Sequence, residues 1–331
     1  MKPAFPEIQI SEFNGSVRGL LRGFLHERES ALQRLGDGLT SAPPEWSQPL
    51  METCRKLLAG GKLLRPSFCF WGWPAAGGKP GGGDEPSIIG IAAALEGSSR
   101  SFGRAAAILL GDICLVWSYE LILHRELDAA TRSALLEITN LGNQDLMVGQ
   151  YLDLRMAAQP AESGEDALLV AYFKTTSCTV ERPLVIGAKV ADPDSPAVAV
   201  RRKFAGHAGE ACQLRDDVLG VFGDPEVTGK PVGDDLTAGK GSLLLTAARS
   251  SATRSQVAEM DRARGQQELS NEHLESCRSI IIETGALDTV EQRIAEQYRR
   301  AFEILDSAPE LHQAGKNGLC HLLELLVDRA S

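Results

Sequence analysis

The sequence predicts an all-α fold, an antiparallel helical bundle around a central cavity, and three observations carry that prediction. Apolar residues recur at spacings of three and four, as Phe13, Val17, Leu20, Leu21, Phe24 and Leu25 do near the start and Leu319, Leu322, Leu323 and Leu326 near the end. Such spacing stacks side chains on one helix face. The period-two alternation of a half-buried strand is hard to find. Proline and glycine punctuate the chain at Pro43-Pro44, from Gly77 to Gly83, from Asp192 to Pro196, from Gly223 to Gly241 and at Gly265, leaving segments long enough for helices of roughly 15 to 25 residues. Bundles build ligand sites in their cores from side chains on facing helices.

Composition narrows the classes of function. At 331 residues the chain is long enough for one large helical domain or two smaller ones. Its formal net charge of −10 argues against nucleic acid as a partner, because phosphate backbones call for basic patches. No apolar run approaches ~20 uncharged residues, so no transmembrane segment is expected. The start, MKPAFPEIQISEF, lacks the apolar stretch of a secretory signal. Seven cysteines, at 54, 69, 114, 178, 212, 277 and 320, show no C-x-x-C spacing. They read as reduced, mostly buried thiols of a cytoplasmic protein.

Along the chain, the first chemistry-bearing segment is GGKLLRP, Gly60 to Pro66. Two glycines break a preceding helix, and Lys62 and Arg65, three apart, share a face of the next and can grip one anion. An arginine fork suits phosphate oxygens, and a lysine adds a mobile point charge. A helix-ending glycine followed by a basic surface turn is the alternative. Next, a helix beginning near Pro86 runs through IIGIAAALE, and the segment AAAILLGDICLVWSYE, Ala105 to Glu120, is apolar enough for a buried central or interface helix. Asp112 there, and Gln150 and Asp153 in GQYLDLR, are polar positions on apolar helices. A satisfied buried hydrogen bond and a site role both remain open for each. In YFKTTSCTVERPLVIGAKVA, β-branched and hydroxyl residues crowd a helical run that Pro183 interrupts. The resulting kink turns Lys174 and Thr175 toward a cavity, unless it is an ordinary bend with Lys174 reaching water.

The densest signal is QLRDDVLGVFGDPEVTGKPVGDDLTAGKGS, Gln213 to Ser242. Asp216 and Asp217 end an apolar helical run, and adjacent carboxylates repel unless a cation or solvent offsets them. Mg²⁺ is the natural cation, because it takes oxygen ligands and bridges one or two carboxylates to substrate phosphates. Lys230 and Lys240 supply further positive charge. A polar, solvated loop whose acids and lysines neutralise one another is the plainer reading.

Taken together these motifs resemble the polyprenyl diphosphate synthase family, the head-to-tail isoprenyl transferases. GGKLLRP is similar to the family's GGK-x-x-RP, AILLGDICL to its GD-x-L helix, and GQYLDL, KTTSCTVERPL and QLRDDVLGVFGD follow in the family's order. The resemblance implies an isoprenoid synthase fold, a single domain over residues 1–331, usually a homodimer, and a Mg²⁺-dependent prenyltransferase of isoprenoid biosynthesis. It implies that Lys62 and Arg65 bind isopentenyl diphosphate and that Asp216 and Asp217 are the metal ligands of the second aspartate-rich motif, with Gly220 where many members carry a third aspartate. Lys174 and Lys230 would contact the diphosphate of the allylic partner. Gln213 would lie along the allylic chain, Asp224 follows in the FGD pattern, and Lys240 closes the motif. Thr175, Gln150 and Asp153 fall in the matched segments as further substrate-binding positions. Ionisation of the allylic diphosphate, condensation and proton elimination would give a longer prenyl diphosphate of C15–C20 or somewhat more. In the family it resembles, the side chains that set product length precede the first aspartate motif.

The chain departs from the family at one place. The first aspartate-rich motif and the RRG turn after it are absent, and IIGIAAALE meets Gly97, Ser98, Ser99 and Arg100 where the motif should be approached. The favoured explanation is a segment of the polypeptide missing from this sequence between Glu96 and Gly97; the other is a natural or engineered paralogue lacking half the metal site. A non-catalytic partner subunit that binds prenyl diphosphates is therefore a second functional reading. A terpene cyclase is a third, although it has no use for GGK-x-x-RP. Intact mass decides the first question: the expected value exceeds 35.5 kDa by the missing segment, and a mass equal to 35.5 kDa rejects the omission.

Overall fold

The computed structural model describes residues 5–37, 48–59, 63–77, 104–158, 164–192, 197–224, 233–266 and 269–327. Helices make up its regular structure, and no strand occurs among the described residues. The chain divides into two compact units, Met1–Ile138 with Pro183–Ala197 and Glu310–Gly318, and Thr139–Arg182 with Val198–Pro309 and Leu319–Ser331. The expected helix from Pro86, the Glu96–Gly97 junction, the Pro43-Pro44 break, Lys62 and Lys230 all lie outside the described residues.

The first unit contains α1 (Phe5–Asp37), α2 (Gln48–Ala59), α3 (Leu64–Ala75), α4 (Arg104–Leu123) and α7 (Arg182–Ala191) from Pro183 onward. The three-and-four pattern read in α1 is its packing face: Phe13, Val17, Leu21 and Leu25 are all buried. Phe13 lies against Phe70 of α3, ring centroids 4.3 Å apart, and Leu25 packs with Met51 and Cys54 of α2 and Trp117 of α4. Burying each such aliphatic side chain contributes about 1.5–3 kcal/mol.

α3 starts at Leu64 with Arg65 half-buried in its first turn, and its expected partner Lys62 lies outside the described residues. The boundary is set by Leu63, whose φ of 49° is left-handed and whose side chain is nonetheless buried. A bulky residue in that region is strained, and the carbonyl of Leu63 is tied down by both Ser67 N–H (3.0 Å) and Ser67 Oγ (2.8 Å). α4 has one buried face and one exposed face. Cys114, Leu121 and Ile122 are buried, but Val116 is 64% exposed, and Asp112 is exposed, which removes the buried-hydrogen-bond reading for Asp112.

α3 and α7 meet backbone to backbone through two glycines. A Cβ on Gly72 would stand 2.6 Å from the Leu184 carbonyl oxygen, and one on Gly187 would stand 2.9 Å from Trp73 N and run into the Cys69 carbonyl. Neither obstacle is a flexible side-chain tip.

The second unit holds α5 (Ala129–Ala158) from Thr139 on, α6 (Gly164–Ala171), a π-helix (Tyr172–Glu181), and α8 (Ala197–Phe222) from Val198. It continues through α9 (Asp234–Thr237), α10 (Leu243–Ser251), α11 (Arg254–Ala263), α12 (Asn271–Glu283) and α13 (Ala286–Asp306). α14 (Gln313–Val327) contributes Leu319 onward, with Leu319, Leu322, Leu323 and Leu326 buried as their spacing implied. Ser242, Thr253 and Ser270 cap α10, α11 and α12, Thr253 in a full capping box with Gln256. The core joins Leu214, Val218 and Val221 of α8 to Leu244 and Leu245 of α10, Cys277 and Ile281 of α12, and Val290 and Ile294 of α13. Arg215 of α8 adds a two-pronged bond to Glu291 of α13, at 2.6 and 2.8 Å. α13 also carries exposed pairs Arg299–Glu303 and Arg300–Glu296. Each contributes only a few tenths of a kcal/mol, so the helix is held by its apolar face. Observed helices reach 33 residues in α1 and 30 in α5, longer than the range expected from the breaks.

Replacing Gly187 with alanine is expected to cost about 1–3 kcal/mol of stability, read as a lower urea midpoint. An unchanged midpoint would show that α3 and α7 can separate without loss.

Candidate active site

The site grows out of the π-helix. Its wide register is visible where the Arg182 N–H reaches back five residues to the Ser177 carbonyl. It ends at Glu181, two residues before Pro183, where an α register would press the proline ring on the carbonyl four residues back. The helical run therefore continues through Pro183 into α7, and the irregularity lies before the proline. Single π turns occur often at functional sites.

Two helices approach this segment where they have no side chain. On α5, a Cβ at Gly149 would lie 2.7 Å from Lys174 N and 3.0 Å from its Cα, and one at Gly142 would lie 3.3 Å from Arg182 Cγ. On α8, a Cβ at Gly209 would lie 2.6 Å from both Cα and Oγ1 of Thr176. Between the α5 glycines, Asp145 accepts from Ser177 Oγ at 2.5 Å and from Arg182 at 3.1 Å. Asp145, Gly149 and Asp153 are spaced by four and line one face of α5 along the π-helix.

This framework holds a Lys174–Asp153 pair and, beginning at the next residue, a hydrogen-bonded run from Thr175 to Asp235. Lys174 pairs with Asp153, Nζ to Oδ2 at 2.5 Å. The neighbouring Thr175 Oγ1 donates to Gln213 Oε1. Gln213 Nε2 donates to Asp217 Oδ1 one turn further along α8, at 2.8 Å. The same oxygen accepts from Lys240 Nζ at 2.8 Å, and Lys240 also donates to Asp235 Oδ2 at 3.0 Å. Burial raises the pKa of Asp217, which is 4% exposed, while the Lys240 ammonium pulls it back. For Lys240, burial acts to lower the pKa, but Asp217 and Asp235 outweigh it and the net shift is upward. The ammonium is thus held charged between two carboxylates.

Of the sequence-derived residues, Asp153, Lys174, Thr175, Gln213, Asp217 and Lys240 are brought together. Asp216 is half-buried on α8, one residue from the run. Gln150 and Asp224 are exposed, so the buried-bond reading of Gln150 does not hold. Arg65 belongs to the first unit, and Lys62 and Lys230 lie outside the described residues. The two aspartates do not end their helix: α8 continues to Phe222. The neutralising arrangement considered for this segment holds for Asp217, Asp235 and Lys240. Asp145, Gly149 and Gly209 were not singled out by sequence reasoning. The spacing by four on α5 and between Gly209, Gln213 and Asp217 on α8 was the available signal.

As a metal centre the donor set is oxygen-only and suits a hard cation. Among the described residues no group of three or more His, Cys, Asp or Glu side chains could hold a metal. The adjacent Asp216 and Asp217 fit the mode in which Mg²⁺ takes one or two carboxylates and completes its shell with water and phosphate. No helix among the described residues is long and apolar enough to cross a membrane.

The family model for polyprenyl synthetase matches residues 95–281. A geranylfarnesyl diphosphate synthase of Aeropyrum pernix is 32% identical over 231 residues, 69% of this chain and 71% of that one. An all-trans-nonaprenyl-diphosphate synthase (geranyl-diphosphate specific) of Rhodobacter capsulatus is 30% identical over 232 residues, 70% of this chain and 68% of that one. The crystal structure of geranylgeranyl pyrophosphate synthase from Corynebacterium glutamicum, complexed with isoprenyl diphosphate and magnesium, superposes with a TM-score of 0.85 at 27% identity, covering 96% of this chain and 99% of that one. With a family match over more than half its length and relatives alike across most of both sequences, this chain belongs to the polyprenyl synthetase family of prenyltransferases.

Proposed function

We propose that the chain condenses isopentenyl diphosphate with an allylic prenyl diphosphate to give a longer prenyl diphosphate, of C15–C20 or somewhat more. The observation that carries this reading is the hydrogen-bonded run from Thr175 through Gln213 to Asp217 and Lys240, with the Lys174–Asp153 pair adjoining it in sequence. These contacts fix two ammonium groups and one of the paired aspartates, groups of the kind that a diphosphate leaving group requires.

In this reading Lys174 and Lys240, with Lys230, bind the allylic diphosphate, and Asp216 and Asp217 hold Mg²⁺. The metal, when bound, supplies Lewis-acid neutralisation of the leaving diphosphate. The lysines contribute most as charge separates, because fixed donors aimed at developing charge act without reorganisation. The allylic C–O bond breaks with its electron pair leaving on the diphosphate. The isopentenyl double bond attacks the allylic cation, forming the new C–C bond, and a proton then departs to restore a double bond. Lys62 and Arg65 hold isopentenyl diphosphate for that attack, where positioning does much of the work. Gln213, fixed by Thr175 and Asp217, lines the path of the allylic chain, with Gln150 and Asp153 nearby in sequence order.

Several further readings belong with this one. The chain acts as a single catalytic domain in the cytoplasm. It works as a homodimer, a reading supported by α5, where Leu141, Met147, Val148, Tyr151 and Leu154 are exposed, Leu154 by 72%, within about half of the helix circumference. The absence of the first aspartate-rich motif from the sequence favours the second reading, a partner subunit that binds prenyl diphosphates without turning them over.

Incubation with isopentenyl diphosphate, each short allylic diphosphate and Mg²⁺ is expected to yield longer prenyl alcohols after dephosphorylation and mass analysis. Diphosphate binding without product would establish the partner-subunit reading instead. Asp216→Ala is expected to abolish Mg²⁺-dependent turnover while moving the thermal midpoint by no more than about 2 °C; unchanged turnover at limiting Mg²⁺ would remove its metal role. Lys62→Ala is expected to raise KM for isopentenyl diphosphate by about 10- to 100-fold, the effect of losing a charge-assisted hydrogen bond. A change confined to the allylic substrate would reverse the assignment of the two diphosphates.

A further inference from the structure

We propose that Asp145 is a positioning residue: by accepting from both Ser177 and Arg182 it holds the π-helix in the register that aims Lys174 and Thr175 at the allylic diphosphate. The functional half of this statement rests on the reading above.

The π-helix is closed at its end by a backbone bond between residues five apart, the Arg182 N–H on the Ser177 carbonyl. Asp145 joins the side chains of the same two residues. One carboxylate oxygen, Oδ2, accepts from Ser177 Oγ at 2.5 Å and from the Arg182 guanidinium at 3.1 Å. In an α register, at about 100° per residue, positions five apart point about 140° away from each other. In a five-residue register they return to one side. Arginine is long enough to reach round a helix, but the stem of Arg182 also lies along α5, since a Cβ at Gly142 would stand 3.3 Å from Arg182 Cγ. Ser177 is short and fully buried, so its hydroxyl meets Asp145 only when its own face is turned to α5. A further contact has the same spacing, because the Cys178 thiol donates to the Phe173 carbonyl, five residues back, at 2.8 Å. A register this rare calls for a hold from outside the helix, and the shared carboxylate supplies it.

With the Arg182 N–H on the Cys178 carbonyl instead, the preceding helix would wind round by one residue, about 100°. Lys174 and Thr175 would turn with it, away from Asp153 and Gln213, their present partners. Asp145 thus acts on both residues through the backbone.

Crystal structures of the wild type and Asp145→Ala test the register without substrate or metal. The wild type is expected to keep the Arg182 N–H on the Ser177 carbonyl, and the variant to move it to Cys178. A variant that keeps the wild-type bond, or a wild type already in the α register, would overturn the proposal. If Asp145→Ala does not fold, Arg182→Met takes its place with the same expected shift, since it breaks the other arm of the bridge. In turnover, Asp145→Ala is expected to raise KM for the allylic diphosphate about tenfold, as for a misdirected charge-assisted donor, with KM for isopentenyl diphosphate unchanged. Equal changes in both, or none, would overturn the positioning role even if the register moves. If the wild-type chain forms no product, the functional reading fails, and binding of inorganic pyrophosphate with Mg²⁺ is compared by calorimetry. There Asp145→Ala should bind about tenfold more weakly than wild type, and equal binding, or none by wild type, would overturn the positioning role.

Discussion

With no side chain at Gly149 or Gly209, α5 and α8 come against the backbone of the π-helix at Lys174 and Thr176, and the site follows from that approach. At such distances hydrogen bonds are short side chain to short side chain, so Thr175 can reach Gln213 and Asp145 can reach Ser177. A Cβ at either glycine would push the segment away by an amount comparable to a hydrogen-bond length. Interiors packed at crystal-like density do not absorb such shifts locally. The orientation of Lys174 is thus inherited from backbone contact, with Asp153 completing it.

From the π-helix the constraint passes along α8. Gly209, Gln213 and Asp217 follow one another at intervals of four, so a helix positioned by its contact with Thr176 presents the amide and then the carboxylate along the same face. Arg215, on another face, locks α8 to α13 through Glu291, and the core of Val218, Val221 and Ile281 backs it. At the far end Asp217 is buried with Lys240. Breaking such a pair by removing one partner typically costs about 3–5 kcal/mol, because the survivor is left charged and desolvated. Lys240 is therefore part of the fold as well as of the candidate site, and Asp235 shares that double status.

The fold class was legible because helix faces repeat at three and four, and the buried faces of α1 and α14 coincide with that pattern. Gln213, Asp217, Lys174 and Lys240 were legible because charged or amide groups stood on or beside apolar helical runs. The start of α3 was not, since nothing in GGKLLRP announces that Leu63 takes a left-handed conformation; its buried side chain holds it there. The π register was read as a proline kink because local propensity marks a disturbance without saying on which side of Pro183 it falls.

The charges of the assembled groups bear on what the site needs from outside. Asp153, Asp217 and Asp235 are set against Lys174 and Lys240, so the hydrogen-bonded network is formally anionic even before Asp216 is added. Both lysines already spend their charge on carboxylates. A diphosphate brought into such surroundings is drawn by the two lysines and repelled by the aspartates that face them, and in a buried setting that repulsion is poorly screened. In the proposed reading Asp216 and Asp217 would hold divalent cations, which would supply the neutralisation that offsets this repulsion. The missing first motif bears on the same balance of charge. Without its carboxylates fewer cations are retained, the diphosphate is neutralised less completely, and ionisation of the C–O bond suffers more than binding, because leaving-group charge is greatest in the transition state. Binding and turnover are therefore the two quantities that a chain with only the second motif would separate.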